Sequence, residues 1–308
     1  MGRKDAMNFF KNLILYAKMV KFSHTLFALP FAGISFLLAY LESTLDTGDL
    51  LRIAALVLVC MVSARSAAMG FNRYVDSEID EKNPRTQNRE IPSGKISKLS
   101  ALLFIGLSSF IFIFASFFVN KLAFLLSFPA LFVLFLYSLT KRFTLFCHLV
   151  LGFAISLAPL GAWIAITETI NLVPILFSLG LLFHISAFDV LYAIQDMDFD
   201  VKENLHSIPS RLGETKSRAV AVVLHILSFV FFIFAGSSAG LGVMYFLILS
   251  VIGVLVLYEH KISYQYKSKD LPMVFYQINS WISVVLFLAI LFDKWNEFLL
   301  KVSSGISF

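Results

Sequence analysis

The sequence predicts an all-α membrane protein, nine transmembrane helices bundled around a central cavity, and three observations carry that expectation. First, 58% of the 308 residues are hydrophobic and only 15% charged, with a mean hydropathy of +0.82 and 34 Phe. A soluble domain carries about 25% charged residues, so this much apolar surface needs lipid as its solvent. Second, the apolar residues come in continuous runs long enough to span a bilayer rather than in the ten-residue alternation of barrel strands. Third, Lys and Arg are distributed very unequally between alternate connections, as the positive-inside rule requires of a multi-span chain.

The runs fall at 22–41, 51–70, 99–119, 121–139, 143–166, 172–192, 217–236, 240–258 and 272–292. Each holds about 20 residues, one hydrocarbon thickness of helix. One domain, 1–308, therefore accounts for the chain, with two longer polar loops at about 71–98 and 193–216. Twenty-one of the 25 Lys and Arg residues lie in the N-terminal segment and the alternate connections beginning with the 71–98 loop, counting Arg65 at the end of the span before that loop; only Arg52, Lys121, Lys294 and Lys301 lie on the other side. That asymmetry places the N-terminus and both polar loops in the cytoplasm and, with nine spans, the C-terminus outside. A bacterial inner membrane is the expected location. The N-terminus is basic, but no short apolar core with a small-residue cleavage site follows, so no removable signal peptide is expected. The net charge of +5 is read as lipid-facing and orienting rather than as a nucleic-acid footprint. Cys60 and Cys147 are read as small core hydrophobes.

Acidic residues are the informative set. Asn72, Asp76 and Asp80 recur every four residues and so share one helical face where the second span leaves the membrane. Tyr192, Asp196 and Asp200 do the same at the end of the sixth, with Asp189 two turns deeper on nearly the same line. Each stretch runs into a similar tail, Ile91-Pro-Ser-Gly and Ile208-Pro-Ser-Arg-Leu-Gly213, an echo of two related halves. Two carboxylates about 6 Å apart repel by roughly 3 kcal/mol at an effective dielectric near 20, so such faces call for cations. Mg²⁺ takes one or two carboxylates together with substrate phosphates. Two faces at one mouth can thus hold Mg²⁺ ions and capture a diphosphate, with Lys141 and Arg142 on a short turn covering the remaining anionic oxygens. Arg65, inside a predicted span, is either a ligand-binding group or a snorkelling cation. A diphosphate at the mouth of an apolar, Phe-rich bundle implies an isoprenyl tail running inward. Metal on the leaving group favours ionisation of the allylic C–O bond, and aromatic faces attract the resulting cation.

These residues resemble the UbiA superfamily of intramembrane aromatic prenyltransferases over nearly the whole chain. The first family motif, Asn-Asp-x-x-Asp-x-x-x-Asp, is matched by Asn72, Asp76 and Asp80, with Arg73 in place of the first Asp. Asp196 and Asp200 match the second, Asp-x-x-x-Asp. Tyr137 and Lys141 match a Tyr-x-x-x-Lys element, Arg65 an Arg seven residues before the first motif, and Asn88-Arg89-Glu90-Ile91-Pro92-Ser93-Gly94 an Asn-Arg-x-x-Pro-Ser-Gly segment. The Asp189 to Asp200 run looks most like the 4-hydroxybenzoate polyprenyltransferases of quinone synthesis, and the opening Lys21-Phe-Ser-His-Thr-Leu-Phe like a bacterial branch of that group.

The resemblance implies Mg²⁺-dependent transfer of a polyprenyl chain from polyprenyl diphosphate to the ring of an aromatic acid, either 4-hydroxybenzoate or, for menaquinone, a hydroxynaphthoate. It implies that Asp76, Asp80, Asp196 and Asp200 bind Mg²⁺, with Asn72 assisting. Lys141, Arg142 and Tyr192 would contact the diphosphate, with Tyr137 and Arg89 among the substrate-binding residues. Arg65 would pair with the substrate carboxylate or the diphosphate. Asp189 would orient or deprotonate the aromatic hydroxyl, unless a neighbouring Arg or Lys merely neutralises it; Asp76 and Asp196 act with it in catalysis. Asp198 and Glu78 point away from the two faces and are expected in solvent. The six histidines show no ligand spacing and are read as packing or interfacial residues, His24 and His206 being kept open beside the motifs. A transporter is the rival class, but transporters bind near the bilayer midplane, whereas these carboxylates gather at one mouth.

Overall fold

A computed structural model describes residues 14–20, 28–266 and 271–304, and within them every regular element is a helix. The opening segment at 21–27, His24 and the loop cations Lys267 and Lys269 lie outside the described residues. The elements are α1 (Leu29–Glu42), α2 (Thr47–Val75), α3 (Ser77–Lys82), α4 (Lys98–Val119), α5 (Lys121–Thr140), α6 (Cys147–Thr167), α7 (Leu172–Ala193), α8 (Met197–Lys202), α9 (Ile208–Ser238), α10 (Val243–Gln265), α11 (Met273–Asp293) and α12 (Trp295–Ser304).

Among the described residues eight helices are long and apolar enough to cross a membrane, one fewer than the nine expected. The difference lies in the first: α1 has 14 residues, and the chain just before it is outside the described part. The other boundaries follow local chemistry. Asp46, Ser97 and Asn120 each accept a hydrogen bond from the backbone N–H three residues on, capping α2, α4 and α5. At α9, Ser207 and Ser210 bond reciprocally in a capping box. Asn120 alone joins α4 to α5, and its amide also donates to the Ile164 carbonyl at 2.8 Å, tying the hairpin to the end of α6.

The buried core unites α1, α7, α9, α10 and α11, with Phe31, Phe177, Phe232, Tyr245 and Phe275 almost wholly enclosed. Outward faces carry Phe110, Phe114, Phe117, Phe128 and Phe132, as expected where lipid takes the place of water. Between α2, α5, α6 and α7 the bundle does not close: a cavity of about 740 Å³ remains, bordered by both acidic stretches.

Candidate active site

Two local devices aim the acidic residues. The long helix α2 ends at Asp76 (φ −89°, ψ 2°), and the six-residue α3 follows at once. The long helix α7 ends in a single 3-10 turn, Ile194–Asp196, with Asp196 at φ −97°, ψ 3°, and the six-residue α8 follows. The expected uninterrupted helical faces are therefore broken once each, at the first carboxylate. The four-residue spacing survives, the Asp80 N–H reaching the Asp76 carbonyl at 2.7 Å.

Asn72, Asp76, Asp80, Asp189, Tyr192, Asp196 and Asp200 all border the one cavity, so the two faces meet as the sequence predicts. Each motif carboxylate is held by a cation. Asp76 pairs with Arg142 at 2.9 Å and accepts from the Asn72 amide at 3.0 Å. Arg89 donates to both Asp80 oxygens at 2.7 Å. Arg85 grips Asp196 with two nitrogens, at 3.0 and 2.6 Å, and donates to the Tyr192 hydroxyl at 2.7 Å. Asp200, fully buried, lies 2.7 Å from Lys141 and accepts from Ser207 at 2.9 Å. Lys141 and Arg142 are consecutive, so one turn between α5 and α6 binds a carboxylate from each half. Lys82 to Glu203, at 3.0 Å, adds a further bridge between the halves.

Burial and pairing oppose one another at this mouth. Desolvation pushes the Asp76 carboxyl above its ordinary range, against the pull of Arg142. At Lys141 burial works against the charge, but the Asp200 carboxylate outweighs it and raises the ammonium above its usual value. Arg85 is likewise held charged, with Tyr192 and Asp196 overcoming its desolvation.

The remaining expected residues divide clearly. Arg65 and Tyr137 border the cavity below the mouth; the Arg65 Nε has no hydrogen-bond partner, and the Tyr137 hydroxyl points at the Met69 sulfur, 3.9 Å away. Asp198 and Glu78 are exposed, as expected. Asp189 is paired, but with His148 (Nδ1 to Oδ2, 2.6 Å) rather than with an Arg or Lys. His148, expected as a packing residue, is thus part of the site. Arg85, which the sequence marks only as a cytoplasmic loop cation, is a further cation joining the two halves, at Asp196. Arg73, standing where the family motif has Asp, turns inward and donates to the Met19 carbonyl at 3.3 Å.

Among the described residues no three His, Cys, Asp or Glu side chains converge on one metal-sized point, because the carboxylates are each turned to a cation. The donor set still suits a hard divalent ion: four carboxylates and one amide, all oxygen ligands, with Asp200 Oδ1 buried and lacking a hydrogen bond of good angle. Beneath the mouth the lining is apolar. Residues from Cys147 to Ala165 of α6 border the cavity, about 27 Å of helix at 1.5 Å per residue, which is nearly a hydrocarbon thickness. Phe188 stacks between Tyr192 and Phe275, at centroid distances of 6.3 and 5.2 Å, and puts an aromatic face just below the carboxylates.

Comparison with known proteins follows the same lines. Residues 28–291 match the model of the UbiA prenyltransferase family. The chain is 30% identical over 235 residues to the 4-hydroxybenzoate octaprenyltransferase of Vibrio campbellii, covering 75% of this chain and 81% of that one. It is 31% identical over 250 residues to the enzyme of that name from Saccharophagus degradans, covering 80% and 81%. In fold it is similar to a UbiA homologue from Aeropyrum pernix, at a TM-score of 0.79 and 26% identity over 88% of this chain and 98% of that one. A UbiA homologue from Archaeoglobus fulgidus bound to GPP and Mg²⁺ superposes with a TM-score of 0.70 at 18% identity, over 94% and 99%.

Proposed function

The chain belongs to the UbiA prenyltransferase family, and from that premise we propose that it transfers a polyprenyl chain from polyprenyl diphosphate to the ring of a 4-hydroxybenzoate-type acid in quinone synthesis. The carrying observation is the cross-bridged set of carboxylates and cations at the mouth of a deep apolar cavity. Such a mouth suits a diphosphate, and such a depth suits its hydrocarbon tail. The relatives named for octaprenyl transfer to 4-hydroxybenzoate support the same substrates.

Asp76, Asp80, Asp196 and Asp200 are the Mg²⁺ ligands in this reading, with Asn72 assisting. When bound, the metal neutralises the diphosphate and lowers the barrier to its departure. Lys141, Arg142 and Arg85 can turn from carboxylate to phosphate oxygens, which are equally good acceptors for charge-assisted bonds. Arg89 stays with Asp80 and keeps it in place. The allylic C–O bond breaks, and its electron pair leaves with the diphosphate. Phe188 and Tyr192 face the prenyl cation. Asp189 takes the hydroxyl proton of the acceptor, which raises the electron density of the ring carbon that attacks. One C–C bond forms, the ring proton leaves to a diphosphate oxygen, and Asp189 returns its proton to the hydroxyl. Arg65, deeper in the cavity, is available to the acceptor's carboxylate. The mouth faces the cytoplasm of a bacterial inner membrane, by the Lys and Arg asymmetry.

Purified protein in lipid, given Mg²⁺, polyprenyl diphosphates and a panel of 4-hydroxybenzoate and hydroxynaphthoate acceptors, tests this by mass spectrometry. A prenylated 4-hydroxybenzoate is expected. Prenylation of hydroxynaphthoate alone would move the assignment to menaquinone synthesis, and no product with any acceptor would reject it.

A further inference from the structure

His148 is almost fully buried near the start of α6, and both of its ring nitrogens are engaged. Nδ1 lies 2.6 Å from Asp189 Oδ2. Nε2 accepts the backbone N–H of Ile208 at 3.3 Å. A peptide N–H only donates, so Nε2 must be the unprotonated nitrogen and the ring hydrogen must sit on Nδ1. The Nδ1 hydrogen is thereby directed at Asp189. A proton added at Nε2 would confront the Ile208 N–H.

The lock is rigid on both sides. Ile208 opens α9 directly after Ser207, whose hydroxyl is committed to Asp200 and whose capping box fixes the turn. On the other side the Ser186 hydroxyl shares its one hydrogen between the Leu182 carbonyl at 2.7 Å and the His148 carbonyl at 3.1 Å. Gly152 lets α6 approach α7 this closely: a Cβ there would collide with the Leu182 carbonyl oxygen and the Ser186 hydroxyl. Asp189 keeps 26% of its side chain exposed, on the cavity wall, with Oδ2 turned to His148.

We infer that His148 is a positioning residue: by holding Oδ2 through a tautomer fixed by the Ile208 peptide, it presents Oδ1 of Asp189 to the hydroxyl of the aromatic acceptor. This rests on the reading of Asp189 as the proton acceptor. In this role His148 acts through the orientation of the carboxylate, where an error near 1 Å costs about a hundredfold in rate.

Four single variants and one double variant test it in steady-state assays with 4-hydroxybenzoate and a prenyl diphosphate. His148→Leu removes the donor, and kcat is expected to fall about a hundredfold, with KM for the diphosphate substrate unchanged within about threefold. His148→Asn places an amide N–H close to where Nδ1 stands and is expected to recover kcat to within about tenfold of wild type. His148→Gln places it near Nε2, facing another donor, and is expected to match His148→Leu. In Asp189→Asn the carboxylate is gone, so adding His148→Leu should cost nothing further. Asn and Leu variants that are equally impaired, or a Leu effect that multiplies with Asp189→Asn, would overturn the inference. Should the Leu variant not fold, the contrast between Asn and Gln decides alone, and equal activity of the two overturns it. If Asp189→Asn itself turns over like wild type, the base reading fails first. If Asp189→Asn is inactive while every His148 variant works normally, only the positioning role fails.

Discussion

Aligned on their break residues, Asp76 and Asp196, the two halves of the site use the same turn twice. Each long helix stops at an aspartate with nearly the same backbone angles, and a six-residue helix then carries the second aspartate four residues on. Each tail then passes through Ile-Pro-Ser and a glycine with positive φ, Gly94 at 71° and Gly213 at 77°, before the next long helix continues. A glycine suits that backbone without strain. The halves part company deeper in. Four residues before the break stand Asn72 in one and Tyr192 in the other; seven before it stand Met69 and Asp189. Both Met69 and Asp189 border the cavity, yet only the second can exchange a proton. The pairing of carboxylates with cations is duplicated, and the chemistry proposed for the acceptor belongs to one half.

The strongest way to break that comparison is to disable each grip separately. Asp76→Asn and Asp196→Asn should each lower kcat/KM about a thousandfold, corresponding to about 4 kcal/mol of lost transition-state stabilisation. Near-normal turnover in either one would show that its half is structural. Next comes the cation between the halves. Arg85→Ala frees Asp196 and Tyr192 together, and a loss of about a hundredfold is expected, carried mainly by KM for the diphosphate substrate. A change in kcat alone would place Arg85 outside diphosphate binding.

The smallest effects separate the tails. Ser97→Ala and Ser207→Ala each remove a helix cap worth about 1 kcal/mol, so the midpoint of thermal unfolding should fall in both, and further in Ser207→Ala. Ser207 also bonds Asp200, whereas Ser97 touches no site residue. Activity should therefore drop several-fold in Ser207→Ala and stay unchanged in Ser97→Ala. Equal activities would mean that the Ser207–Asp200 bond does not support the grip.

How far the sequence led can be judged at particular residues. Eight of the nine expected spans, the two carboxylate faces and the Ile-Pro-Ser echo were legible because they rest on local periodicity and composition, which survive without knowledge of tertiary contacts. The break at Asp76 and the 3-10 turn before Met197 were not, since four-residue spacing reads the same across a short discontinuity. Lys141 and Arg142 were legible as cations at a mouth, but which carboxylate each would take was not. Arg85 and His148 were missed for one reason: each acts on a residue far along the chain, Asp196 at 111 positions and Asp189 at 41. A histidine in an apolar run gives no local sign of its partner. For Arg85 a usable sign was present, a cation placed between two acidic motifs.

The most direct measurement is divalent-ion binding, followed with Mn²⁺ by electron paramagnetic resonance in the presence of an unreactive prenyl thiodiphosphate. Wild type is expected to bind Mn²⁺ tightly only with the analogue present, and Asp76→Asn and Asp196→Asn should each abolish that tight binding. Unaltered Mn²⁺ and analogue binding in either variant would contradict a grip shared between the two halves.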